Sequence, residues 1–199
     1  QHDLDFLEDL IAVRERTGFP RHLETSWAKN KSAVFHRIVE RMADVGLSSS
    51  FTLALQSLDD TTLQGMRRRN MQLNDWAAVA RFATDLGLTP YGELIWGAPG
   101  ETVESFFAGY DELARVVPRI AVYPMLVLPN TAYDSERERH DLVTVTGQTD
   151  DFEYVLSHAT MTVEENLATQ RVLFWCRVLA ENALLRWCWL ALPVVDEVT

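Results

Sequence analysis

The residues best placed to do chemistry lie in two short stretches, LALQSLDDTTLQGMRRRN at 53–70 and YGELIWGAPGET at 91–102. The second has the outline of a phosphate cradle, an apolar run leading into a glycine-rich turn. A phosphate loop surrounds the oxygens with backbone amides and a lysine, spaced Gly-x-x-x-x-Gly-Lys-Ser/Thr or Gly-x-Gly-x-x-Gly. Gly92, Gly97 and Gly100 keep neither spacing, Pro99 has no amide hydrogen, and no lysine follows. Pro99 and Gly100 fit plain turn chemistry equally well. Glu93 stands in an apolar run, where an ionised carboxylate is costly unless paired, so it is expected to be hydrogen-bonded. Gln56 and Ser57 close another apolar run, and their plainest role is bonding to neighbouring backbone. Arg67 and Arg69 read as surface or helix-end charges near a C-terminal dipole. His158 is a lone imidazole, either a proton donor or, more simply, a structural residue. Cys176 and Cys188 form neither a disulfide framework nor a metal-ligand spacing.

The elements that must carry these residues alternate. DLDFLEDLIAVRERTG predicts a helix with Leu4, Leu7, Leu10 and Ile11 on one face, and it opens without an initiator methionine, as a chain beginning within a domain would. RHLETSW reads as a strand and KSAVFHRIVERMADVG as a helix with Phe35, Ile38, Val39, Met42 and Val45 in its stripe. SFTLALQS, a capped helix from Asp59 or Asp60, NDWAAVARFATDLG, TPYGELIWG, TVESFFAGYDELARVV and RIAVYPMLVLP continue the order. Four strands separated by helices predict parallel pairing, in an open doubly wound sheet or in part of a β/α barrel. Chemistry in a barrel gathers at the C-terminal ends of strands. Those ends are Trp27 with Lys29 and Asn30, Gln56 with Ser57, Trp96 with Gly97, and 124–130; Asn30 competes with Ser32 as the cap of the next helix.

The pattern changes after residue 130. Residues 131–151 read as a polar surface loop or irregular crossover, and 152–199 as a strand, YVLSHATM, and a long helix opened by the capping box Thr162-x-x-Glu165. Leu167, Phe174, Trp175, Val178, Leu185 and Trp189 recur at helical spacing, a stripe expected to pack. Tyr123, Tyr133, Trp175, Trp187 and Trp189 either border a cavity or belong to the core. The chain has 199 residues and a net charge of −11, which argues against general nucleic-acid binding, although all but two of its eighteen basic residues are arginines suited to fixed carboxylate or phosphate contacts. It has no signal peptide and no apolar run long enough to span a membrane, so a cytoplasmic setting is expected.

The two opening stretches, one helix apart, resemble the middle of the radical S-adenosylmethionine (SAM) superfamily. In the subgroup of the oxygen-independent coproporphyrinogen oxidases, a strand ends in Gln-Ser, an arginine follows about a dozen residues later, and the next strand reads Asp/Glu-Leu-Ile-x-Gly-x-Pro-Gly-Glu/Gln-Thr. The stretches TSWAKN and LSHATMTVEE are similar to a branch with an N-terminal cobalamin-binding domain, associated with methylation and other radical chemistry in secondary metabolism. The resemblance implies residues 1–130 as the second half of a radical SAM β/α barrel of about four parallel units, followed by the C-terminal strand and helix packing on it.

By this resemblance Gln56 and Glu93 bond the ribose hydroxyls, with Ser57 assisting there or at the carboxylate. Arg68 holds the methionyl carboxylate, Ile95 packs on the adenine, and the backbone at Gly97 admits the nucleoside closely. The chemistry agrees: a diol donates two hydrogen bonds, an arginine fork suits a carboxylate, and adenine needs an apolar wall. The superfamily's Cys-x-x-x-Cys-x-x-Cys, which ligates a [4Fe-4S] cluster, is absent. Cys176 and Cys188 do not replace it, since twelve helical residues separate them by about 18 Å. The implied cofactors are therefore SAM, a cluster whose ligands lie outside these residues, and cobalamin by way of the branch. No catalytic residue is assigned, and the chain alone is expected to be inactive. The partner expected is a small-molecule substrate, and open strand edges predict pairing with a second copy. The competing expectation is a non-catalytic module that binds a nucleoside or a partner.

Overall fold

The computed structural model describes residues 2–23, 33–67, 73–180 and 185. The predicted alternation is present: α1 (His2–Thr17), β1 (His22–Leu23), α2 (Ala33–Asp44), β2 (Ser48–Gln56), α3 (Asp60–Gly65), α4 (Leu73–Asp85), β3 (Thr89–Trp96), α5 (Val103–Ala114) and β4 (Ile120–Pro124). These four strands form one sheet in the order β1-β2-β3-β4, with β1 and β2 paired in parallel, His22 opposite Ser48. Among the described residues no helix is long and apolar enough to cross a membrane.

Residues 1–54 and 71–92 make one compact unit, and 55–70 with 93–199 the other. In the first, the apolar stripes of α1 and α2 meet, burying Leu7, Ile11, Ile38, Met42 and Leu47 together. Arg41 clasps Glu8 across this helix pair at 2.8 Å, and the guanidinium of Arg14 reaches the carbonyls of Val45 and Gly46.

The second unit contains the elements that bear on function. Asp59 caps α3 by accepting from the Thr62 amide at 2.7 Å, and Thr102 caps α5 in a reciprocal box with Ser105. Trp96 and Phe106 pack edge to face, centroids 4.9 Å apart, in a core that also buries Leu55, Leu94, Tyr110, Leu113 and Val117. Each large apolar side chain so buried contributes about 1.5–3 kcal/mol. Gly109 lets α5 approach the turn after β2: a Cβ there would stand 3.0 Å from that of Leu58.

Residues 131–151 are not the loop expected from their polarity. They contain α6 (Ala132–Ser135), a 3-10 turn (Glu138–His140) and β5 (Val143–Thr146), which pairs antiparallel with β6 (Glu153–Ser157). Arg137 supplies what the apolar pattern lacks, bonding both oxygens of Glu153 and also Asp134. The final helix, α7 (Val163–Ala180), starts at the predicted box, with the Thr162 amide donating to Glu165 at 2.8 Å and the Glu165 amide to Thr162 at 3.2 Å.

The aromatic stripe of α7 is corrected. Phe174 and Trp175 are 59% and 58% exposed, and Leu167, Val172 and Val178 are exposed as well. The helix instead buries Asn166 and Thr169. Asn166 accepts from Trp96 Nε1 at 2.9 Å and donates to the carbonyls of Val155 and Leu156. A polar side chain that satisfies three buried groups selects the inward face over the apolar stripe. Trp187, Cys188 and Trp189 lie outside the described residues.

Candidate functional site

Within the second unit, the C-terminal ends of β2, β3 and β4 border one cavity of about 540 Å³, a volume within the range of small-molecule sites. Burial along β3 alternates strictly, with Leu94 and Trp96 in the core and Glu93 and Ile95 half-buried on the opposite face. The two-residue strand period therefore turns Glu93 and Ile95 together into the cavity.

Gln56 lines the same cavity from the last position of β2. Its φ of +65° is in the left-handed region, and the Ser57 amide reaches back to the Leu55 carbonyl at 2.9 Å across it. A three-residue turn with positive φ is the rarer, strained form. The turn ends the strand at Gln56.

Two other residues named from the sequence point elsewhere. Ser57 is 2% exposed; its hydroxyl donates to Glu101 Oε1 at 2.8 Å and accepts from the Asp59 amide at 3.1 Å, so it faces the interior and not the cavity. Gly97 is also off the cavity lining, and the space a Cβ would take is bounded by Met161 and Met125. Its glycine is required by a φ of +88°, the angle that turns β3 toward α5. Arg68 lies outside the described residues. Arg67, expected on the surface, lines the cavity mouth and pairs with Glu136 at 2.9 Å.

The wall opposite β3 comes from α6 and the 3-10 turn. The Tyr133 ring stands edge-on to His140, centroids 5.2 Å apart, and the buried Tyr133 hydroxyl has no hydrogen-bond partner. Burial, then the neighbouring Glu136 charge, holds that phenol above its usual pKa. Desolvation alone would raise Glu136, but Arg139 and Arg67 outweigh it and keep the carboxyl below the ordinary range. Tyr123 borders the cavity too. His158 does not: it is 6% exposed, Nδ1 accepts from the Thr160 amide at 3.2 Å, and burial lowers its pKa to about 4. It is a neutral structural imidazole at pH 7.

Sequence reasoning gave no role to Glu101. It is 1% exposed, and burial pushes its pKa up to about 8, with Asp59 adding in the same direction against hydrogen bonds from Ser57 and the Gly97 backbone. An acid just before a helix N-cap reads as a solvated partner of the dipole, and only packing reveals its burial. Tyr133 was a cavity candidate from the sequence, whereas Glu136 and His140 sit in a stretch whose polarity disguised them as loop.

Among the described residues no group of three or more His, Cys, Asp or Glu is arranged to hold a metal ion. The two cysteines of the chain, twelve positions apart, do not fit an iron–sulfur cluster. The cavity set of amide and carboxylate groups with an apolar wall does fit a polar, partly aromatic small molecule.

No family model matches the chain. Its fold is shared with two solved structures. One is coproporphyrinogen III oxidase (HemN) of Escherichia coli, a radical SAM enzyme, at TM-score 0.56 and 16% identity over 86% of this chain and 36% of that one. The other is the radical SAM methyltransferase TsrM of Kitasatospora setae, at TM-score 0.54 and 17% identity over 74% of this chain and 30% of that one. Both are radical SAM enzymes, and the shared fold covers about a third of each.

Within that class the curated relatives are methyltransferases. The chain is 29% identical over 147 residues, 72% of its length, to the cobalamin-dependent radical SAM methyltransferase TokK of Streptomyces tokunonensis. It is 32% identical over 131 residues, 64% of its length, to the 2-(S-pantetheinyl)-carbapenam-3-carboxylate methyltransferase of Streptantibioticus cattleyicolor. It spans about a fifth of each relative, 22% and 19%.

Proposed function

We propose that this chain supplies the adenosyl-binding face of a radical SAM enzyme whose reaction is cobalamin-dependent methyl transfer to a small organic substrate. One observation carries the reading: Gln56, Glu93 and Ile95, the positions that the superfamily resemblance assigns to ribose and adenine, line one cavity. In this reading the oxygens of Gln56 and Glu93 accept from the two ribose hydroxyls, and Ile95 lies flat against the purine. In this role the chain's own residues bind and orient the nucleoside and exclude water. The α6 wall, with Glu136 and His140, then faces substrate. Methyl transfer rests on the relatives being methyltransferases, and cobalamin on the name of one of them.

Calorimetric titration of the chain with SAM tests this. Wild type is expected to bind, and Arg68→Ala and Glu93→Gln to weaken binding while circular dichroism stays unchanged. Affinity unmoved by both would remove the proposed site.

A further inference from the structure

We propose that Glu101 is a positioning residue whose buried carboxyl braces the turn after β2 against the turn after β3, and so sets where Gln56 and the end of β3 meet the adenosyl group. The inference rests on the SAM-binding reading above for its ligand, while the brace itself is a matter of geometry.

Gln56 needs bracing. Its positive φ and the tight Leu55–Ser57 turn are unfavourable for a residue with a side chain, and such a conformation persists only where the surroundings over-determine it. The neighbouring Ser57 supplies the anchor. Its hydroxyl has one proton, given to Glu101 Oε1 at 2.8 Å, and it accepts the Asp59 amide at 3.1 Å. Both directions of the hydroxyl are fixed, so the backbone on either side of it is fixed too.

Glu101 is in turn held at its main chain. Its amide donates to the Ala98 carbonyl at 3.0 Å within the turn after β3, and its carbonyl accepts the Thr160 hydroxyl at 2.8 Å from the turn before α7. One residue thereby ties together three turns of the second unit. Gly65 at the end of α3 adds contact to the same joint, since a Cβ there would lie 3.5 Å from the Pro99 carbonyl.

The second oxygen, Oε2, is buried without a partner. An ionised carboxylate would be left uncompensated there, whereas a neutral acid costs far less. The charged and titratable groups near it are Asp59 at the cap of α3 and Tyr133 on α6. Asp59 opposes ionisation. The brace is thus a neutral acid below about pH 8, and glutamine is its close isostere.

The test compares the wild-type chain with Glu101→Gln, Glu101→Ala and Ser57→Ala. Amide shifts of Gln56, Ser57 and Gly97 in heteronuclear NMR should move in Glu101→Ala and Ser57→Ala and stay near wild type in Glu101→Gln. SAM affinity should fall roughly tenfold in the two alanine variants and return within about twofold in Glu101→Gln. The ratio of wild-type to Glu101→Gln affinity should also drop as pH rises through 8, because only the wild type can ionise. Unmoved shifts in both alanine variants overturn the brace, whatever SAM does. Shifts that move as expected in a wild-type chain that binds no SAM keep the brace and overturn the SAM reading. Moved shifts with unchanged SAM affinity overturn the positioning role. If Glu101→Ala does not fold, Ser57→Ala reports on the same contact.

Discussion

At Gly97 a single backbone angle decides the residue. The φ of +88° is open to glycine and strained for any side chain. The space itself is not prohibitive, since the nearest atom to a built Cβ would be the flexible end of Met161 at 3.4 Å. Gly97→Ala is therefore expected to cost about 1–3 kcal/mol through backbone strain, read as a lowered midpoint in urea. An unshifted midpoint would mean that the turn relaxes freely and that the glycine serves something else. Glu101 is the complementary case, in which the backbone is ordinary and the side chain is in an unexpected place. Nothing in the letters GAPGET distinguishes a solvated acid from a buried one. The difference lies in Ser57, forty-four positions away and 2.8 Å from it.

The β5–β6 hairpin is held by charge more than by apolar area. Val143 and Val145 are exposed, so β5 itself gains little from burial, while Val155 on β6 is buried. Glu153 instead gathers Arg137 and Thr144, and the guanidinium and hydroxyl together bring its pKa down to about 2 from an ordinary 4.5. A depressed carboxyl contributes stability that is present above the unfolded pKa and lost as pH falls through the folded one. The window here runs from about 4.5 down to about 2. Glu153→Gln should melt at a lower temperature than wild type at pH 6, with the gap narrowing as pH falls below 4.5. A gap independent of pH would show that the hairpin is held by something other than this ion pair. The hairpin matters to function because its 126–154 bridge follows directly on β4, where Tyr123 and Met125 border the cavity.

At the largest scale, Asn166 joins three elements of the second unit. From α7 it binds the Trp96 indole at the end of β3 and two carbonyls of β6. Asn166→Ala would strand these groups in the interior, at about 1–3 kcal/mol for each one left unsatisfied. A loss of at least that size in equilibrium unfolding is expected, and a neutral substitution would show that α7 is docked by other contacts. The outward face of the same helix carries Phe174 and Trp175, which the amphipathic pattern placed inside. Periodicity identifies a helix and its stripe, but it does not say which stripe faces inward when a polar residue offers the better partner.

What the sequence determined by itself was local and periodic. Alternating strands and helices, the caps at Asp59 and Thr162, and the two-residue period that puts Glu93 and Ile95 on one face all follow from short-range rules. The likeness to radical SAM enzymes was legible as well, because the two motif stretches keep order and spacing along the chain. The tertiary structure alone decided the rest. It turned Ser57 inward to Glu101, set Tyr133 and His140 across from β3, made a hairpin of a polar stretch and exposed the aromatic face of α7. These outcomes depend on partners distant in sequence, and a buried hydrogen bond or ion pair leaves no periodic trace in either of the segments it joins.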